Sequence, residues 1–132
     1  MFKGVIFDFN GTLFFDSEKH VLAWGKLAEE LRGYGVSREE MQGHVYGVPN
    51  NRAIEWLLQK ECEVEELNKY SELKEAYYRD FCREDKEMLH LVAGAHEFFD
   101  ALVEKNIPFT IASASIKPNI DFFVESFQLE KW

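Results

Sequence analysis

The sequence predicts an α/β fold, a small parallel sheet interrupted by a helical insertion. Two observations carry this. Residues 3–9 and 109–113 are short, apolar, β-branched or aromatic runs, as buried parallel strands are. Between them the apolar residues recur at helical spacing. Strands separated by helical segments pair in parallel through crossovers.

The elements follow in order. Residues 3–9 (Lys-Gly-Val-Ile-Phe-Asp-Phe) predict a strand buried on both faces, and Asn10, Gly11 and Thr12 break it with turn chemistry. Ser17 is placed as the N-cap of a helix whose stripe is Val21, Trp24, Leu27, Ala28 and Leu31, with Gly33 and Gly35 ending it. Ser37 followed three residues later by Glu40 has the form of a capping box. A loop is expected over 43–51, then a third helix over 52–60 with Ile54, Leu57 and Leu58 inward. The fourth spans 63–83, with Leu67, Tyr70, Leu73, Tyr77 and Phe81 on its packed side. That face leaves Lys74 and Arg79 on a solvated charged side. Ala93 and Gly94 open a helix that Asn106 stops. Pro108 leads into the second strand, and Pro118 sits early in a last helix. Residues 127–132 read as the lead-in to a further strand. Two strands leave a sheet unfinished, so an exposed apolar edge and self-association of the chain are expected.

Bulk properties narrow the function. Apolar residues make up 46%, aromatics 15% and charged residues 30%, an ordered globular mix. The 12 phenylalanines predict an aromatic-rich core. A net charge of −9 argues against nucleic acid and anionic membrane surfaces as partners. Cys62 and Cys82 match no metal or redox spacing and read as reduced thiols of a cytoplasmic protein. No apolar run reaches the ~18 residues that a membrane span needs.

The chemistry concentrates at two strand ends. Asp8 lies at the carboxyl end of the first strand, where open α/β sheets bind ligands. Its carboxylate can attack phosphorus and form an aspartyl phosphate, a step between two anions that calls for a cation such as Mg²⁺. The turn after it offers backbone N–H groups, and Gly11 lets the backbone approach a phosphate. Ser113 and the N–H of Ala114 end the second strand with further donors for a phosphoryl oxygen.

The run Asp8-Phe9-Asn10-Gly11-Thr12-Leu13 resembles the first motif of the haloacid dehalogenase superfamily, and Ser113 resembles its second. The β-phosphoglucomutase-like group is similar in its opening residues, in His20 and Trp24, and in the run from Leu27 to Glu30. The resemblance implies a partial Rossmann-like core formed by 1–15 and 84–132, with a helical cap formed by 16–83. It implies Mg²⁺ held by Asp8 and the backbone carbonyl of Asn10, with phosphate bound by Asn10, Gly11, Ser113 and Ala114. The substrate would be a small phosphorylated metabolite such as a sugar phosphate. His20 and Trp24 would lie near the cap hinge, His20 being either a hinge or proton-relay residue or a packed histidine. Residues 47–52 resemble a substrate-reading cap loop, in which Arg52 either holds a distal phosphate or is solvated.

Two departures accompany the resemblance. Asn10 stands where most of the superfamily's phosphatases carry a general acid–base aspartate, and an amide does not titrate. The lysine and acidic cluster of the later motifs have no counterpart after Ser113, as in a chain truncated after its second motif. The expectation is a phosphatase or phosphomutase whose turnover is weak or absent in this chain. The competing reading is a non-catalytic phosphate-binding or regulatory module. Dehalogenation or phosphonate cleavage ranks last.

Overall fold

The computed structural model describes all 132 residues, Met1–Trp132. The chain folds as two compact units: Met1–Ser17 with Cys82–Trp132, and Glu18–Phe81.

In the first unit, β1 (Val5–Asp8) pairs in parallel with β2 (Phe109–Ala112). The register sets Val5 opposite Phe109 and Asp8 opposite Ala112. Gly4 allows the entry to this pair: a Cβ there would stand 3.2 Å from the Pro108 carbonyl oxygen. That oxygen accepts the Val5 N–H at 3.0 Å.

Each strand alternates between half-buried and exposed residues rather than being buried on both faces. The physical reason is that the sheet has two strands and one covered face. On that face Phe7 meets Phe99 of α5 (Ala95–Glu104) at 5.2 Å and Phe109 at 5.9 Å between ring centroids. Ile6, on the other face, is 73% exposed.

Beyond the strand, Phe9 turns inward at 1% exposure and stacks on Phe123 of α6 (Lys117–Ser126) at 4.6 Å. Phe14 and Phe127 complete a four-ring cluster. The aromatic core is thus built from Phe9 and Phe14 near the start of the chain and Phe123 and Phe127 near its end. Gly94, at φ +88°, precedes α5, and Asn106, at φ +55°, turns the chain after it.

Residues 127–132 do not enter a strand; Leu129–Lys131 form a 3-10 turn. Trp132 folds back, its indole N–H donating to Asp100 at 2.7 Å and its ring 5.2 Å from Phe99.

The second unit is helical. It holds most of α1 (Ser17–Arg32), then α2 (Arg38–Glu40), α3 (Asn50–Leu58) and most of α4 (Val64–Glu84). Ser17 is the first residue of α1 rather than a cap outside it, a one-residue shift. The Ser37–Glu40 capping box is present in both directions. It opens only a short helix, which continues as a π-helical turn, Met41–Val45, where a loop is expected from Gly43. The core of this unit is largely aliphatic, built on Leu27, Ala28, Met41, Ile54 and Leu57 with the ring of Trp24.

α4 corrects a second expectation. Its fully buried residues include Leu67, Lys74, Glu75, Tyr78 and Cys82, while Tyr70, Leu73, Tyr77 and Phe81 are half-buried. Lys74, placed on a solvated face by its charge, is 2% exposed.

Candidate active site

Strand alternation places Asp8. Phe7 and Phe9 are held on the covered side of the sheet by their ring contacts. The residue between them must therefore point the other way. Asp8 is exposed, and its Oδ2 accepts the Thr12 hydroxyl at 2.9 Å. Nearby, the loop is wound tightly. The Phe9 carbonyl accepts the N–H groups of Thr12, Leu13 and Phe14, at 2.8–3.2 Å, and Gly11 donates to the Phe14 carbonyl at 2.8 Å.

The Gly11 N–H is thus held inside the loop by the Phe14 carbonyl. Its glycine character follows from φ +76°, a conformation that other residues resist; a Cβ there would meet nothing within 4 Å.

The parallel register brings the second strand end alongside. Asp8 pairs with Ala112, the last residue of β2, so Ser113 follows directly after that pair. Asn10 joins the two loops. Its Oδ1 accepts from Ser115 Oγ at 2.8 Å and Ser113 Oγ at 3.2 Å. Its Nδ2 donates to Asp16 Oδ2 at 2.6 Å. Ser113 Oγ also accepts the Ser115 N–H at 3.1 Å, while Ala114 between them is exposed. Asp16 is 2% exposed. Sequence reasoning missed Asp16 and Ser115. Ser115 was visible in the Ser-Ala-Ser turn, whereas Asp16 carries no local signal beyond standing ahead of a helix.

The other predicted residues lie in the helical unit. His20 stacks on Tyr78 at 4.0 Å with an interplanar angle of 6°. Its Nδ1 is 2.7 Å from Lys74 Nζ. Lys74 donates to Glu75 at 3.1 Å, and the same Glu75 oxygen accepts from Asn50 Nδ2 at 2.9 Å. Asn50 Nδ2 also lies 3.2 Å from Ser71 Oγ. The Lys74 ammonium sits 5.3 Å from the ring of Trp24, which is buried at 4% exposure. His20 and Trp24 thus meet around Lys74, while Arg52 is exposed on α3. Sequence reasoning missed Lys74, Glu75 and Asn50, because charges that bury one another leave no apolar stripe.

Magnesium is the cofactor the resemblance implies. Asp8 offers one carboxylate, and the side-chain oxygen of Asn10 is occupied by two hydroxyls. Nowhere do three or more His, Cys, Asp or Glu side chains converge. Mg²⁺ requires near-octahedral oxygen coordination. The side chains present do not by themselves fit that shell.

Residues 5–132 match the family model for haloacid dehalogenase-like hydrolases. The chain belongs to the haloacid dehalogenase-like hydrolase family. Its core is the partial Rossmann-like α/β core of that family. Among solved structures, it is similar to a family IA, variant 3 hydrolase of this superfamily from Entamoeba histolytica. That match has 39% identity and a TM-score of 0.91, covering 99% of this chain and 57% of the other.

Two further likenesses are of fold alone. A mutant of CbbY from Rhodobacter sphaeroides, in complex with xylulose-(1,5)bisphosphate, is 18% identical with a TM-score of 0.76, covering 97% of this chain and 58% of that one. A β-phosphoglucomutase from Clostridium difficile is 23% identical with a TM-score of 0.71, covering 96% and 56% respectively. The chain therefore spans a little over half the length of each relative. No helix in it is long and apolar enough to cross a membrane.

Proposed function

We propose that this protein takes part in phosphoryl transfer from a small phosphorylated metabolite, such as a sugar phosphate, with Asp8 as the nucleophile. The observation that carries the reading is the exposed Asp8 carboxylate at the end of β1, in register with the serine-bearing end of β2. The family, and the CbbY relative in complex with a sugar bisphosphate, support the substrate class. In the first half-reaction a carboxylate oxygen of Asp8 bonds to phosphorus, and the bond from phosphorus to the leaving oxygen breaks. The Thr12 hydroxyl holds the second carboxylate oxygen and so orients the first. The leaving oxygen takes its proton from water, because Asn10 has none to give. In the second half-reaction water attacks the aspartyl phosphate, releasing phosphate and restoring Asp8.

The missing acid lowers turnover by about 10²–10⁴-fold, least for substrates with good leaving groups such as acyl phosphates. The residues of 16–83 serve as a cap, with Arg52 reading the distal end of the substrate and His20 near the hinge. Mg²⁺ is the proposed cofactor class, since nucleophile and substrate are both anionic. A cytoplasmic setting suits such metabolites.

The test is phosphate release from sugar phosphates and acyl phosphates, with and without Mg²⁺, comparing the wild type with Asp8→Asn. Release that the substitution abolishes is the expected result. Release that survives it removes Asp8 from the mechanism.

A second reading is favoured by Asn10 itself, whose amide is fully engaged between Asp16 and the serines. In it the site binds phosphate and does not turn over. Phosphate binding without release from any substrate distinguishes that outcome.

We also infer that the 132-residue chain self-associates through the sheet. Beside β2 lies an apolar groove of about 540 Å³, lined by Phe109, Ile111, Ile120, Phe123, Val124 and Leu129 among others. A second copy would cover it by strand pairing. Light scattering at working concentration should give a dimer or larger; a clean monomer sinks the idea.

A further inference from the structure

We propose that Asn50 is a positioning residue for Arg52, clamped in place by Ser71 and Glu75 of α4. The role rests on the reading of Arg52 as the residue that meets the distal end of the substrate. On α3 the buried residues Ala53, Ile54 and Leu57 form the stripe that faces the core of the helical unit. Asn50 stands three, four and seven residues ahead of them, so it takes the first position of the same stripe. An amide there breaks the apolar pattern, and its partners supply the reason. The Nδ2 group carries two hydrogens, and it donates to Ser71 Oγ at 3.2 Å and to Glu75 Oε1 at 2.9 Å. Ser71 and Glu75 are neighbours on one face of α4, about one turn apart. An apolar side chain could pack at several heights along that face. An amide meets both acceptors at only one.

The clamp sits where α3 has no cap. Pro49, the N-cap residue, makes no side-chain hydrogen bond to the helix. Its carbonyl accepts the N–H groups of Arg52 and Ala53, at 3.0 and 3.2 Å, and these bonds close the first turn without fixing how the turn is rotated. Asn50 fixes the rotation. Residues two apart on a helix lie about 200° around its axis. With Asn50 held against α4, Arg52 is therefore directed to the far side, where it is exposed. The clamp is itself anchored in the core, because the same Glu75 oxygen accepts from Lys74 at 3.1 Å and both residues are buried. Asn50 thus acts on the substrate through Arg52 and does not touch it.

The test uses the full chain with N50A, R52A and N50A/R52A, and with S71A as a milder variant that removes one arm of the clamp. Amide hydrogen exchange at Arg52 and Ala53 reads the first turn. Calorimetry gives the Kd for fructose bisphosphate, which carries a second phosphate for Arg52, and for inorganic phosphate, which does not. Exchange at the two amides should be about tenfold faster in N50A and should rise less in S71A. N50A should bind fructose bisphosphate about tenfold more weakly, the scale of one hydrogen bond to a charged group, with inorganic phosphate within about twofold of the wild type. The double variant should bind within about twofold of R52A, because a residue that acts through Arg52 has nothing left to lose once Arg52 is gone. Losses from N50A and R52A that add in the double variant overturn the proposal, as does N50A exchange that matches the wild type. A wild type that does not bind fructose bisphosphate, or an R52A that binds it equally well, overturns the reading of Arg52 and the positioning role with it. The exchange rates then still show whether the clamp holds the turn, so the two failures are told apart.

Discussion

The two units hold their polar side chains in opposite ways. At the strand ends, Asp8 is exposed, and the groups around it are hydroxyls, one amide and the buried carboxylate of Asp16. The backbone sets their positions through strand alternation and parallel register. In the helical unit, Lys74 and Glu75 stand paired at 2% and 7% exposure, 3.1 Å apart. Among their partners are His20, Asn50, and the faces of Trp24 and Tyr78. The contrast separates two uses of polarity. Groups meant to meet a ligand are placed by the main chain and left accessible. Groups sealed inside a helical core must satisfy one another, and each becomes costly to remove alone.

The largest expected effect follows from that cost. Lys74→Met keeps the length of the side chain and deletes its charge, leaving the buried Glu75 carboxylate without its lysine. Breaking a buried pair on one side typically destabilises by about 3–5 kcal/mol. Lys74→Met should lose stability on that scale in urea denaturation, and the double variant K74M/E75Q should lose less than the single. Asp8→Asn, at an exposed position, should be within about 0.5 kcal/mol of the wild type. If Lys74→Met is as stable as Asp8→Asn, the contrast between the two regions collapses.

The same contrast explains what was legible in the sequence. Asp8 and Ser113 were readable because each ends an apolar run, and a strand's end is a place that the main chain defines. Gly94, Asn106 and Pro118 were readable for a similar reason, since turns and helix starts have residue-specific backbone demands. Lys74 was misread because periodicity counts apolar residues. The apolar set on α4 predicted Leu67, Tyr70, Leu73, Tyr77 and Phe81 as the packed side; Leu67 is buried and the other four are half-buried. The deeper set, at Lys74, Glu75 and Tyr78, is turned about one residue around the helix and owes its burial to partners up to 54 positions away. Asp16 escaped notice likewise, as the bond it accepts comes from a side-chain amide and not from the main chain. The strand burial was over-read because an apolar run does not say how many faces will be covered, and Ile6 lies on the open one.

A smaller effect sharpens the comparison from the exposed side of the helical unit. The Ser37–Glu40 capping box was plain in the sequence, and it joins Arg32, which reaches both Glu40 oxygens at 3.0 Å. The Arg32 guanidinium, followed by the Ser37 N–H, holds the Glu40 carboxyl down at about 2 from its ordinary 4.5. A carboxylate with a depressed folded-state value contributes stability above the unfolded value, and that contribution disappears as pH falls through the folded one. The advantage of the wild type over Glu40→Gln should therefore hold at neutral pH and fade between about 4.5 and about 2. Ser37→Ala should cost about 1 kcal/mol, the ordinary worth of an N-cap and several-fold below the Lys74 effect. Both are read from melting curves taken across that acid range. An advantage over Glu40→Gln that stays constant down to pH 2 would mean that packing around Arg32, rather than the charge of Glu40, holds this corner together. The most readable polar feature of the unit is thus expected to be the weaker one, because a signature confined to four consecutive residues at the surface remains largely in contact with water.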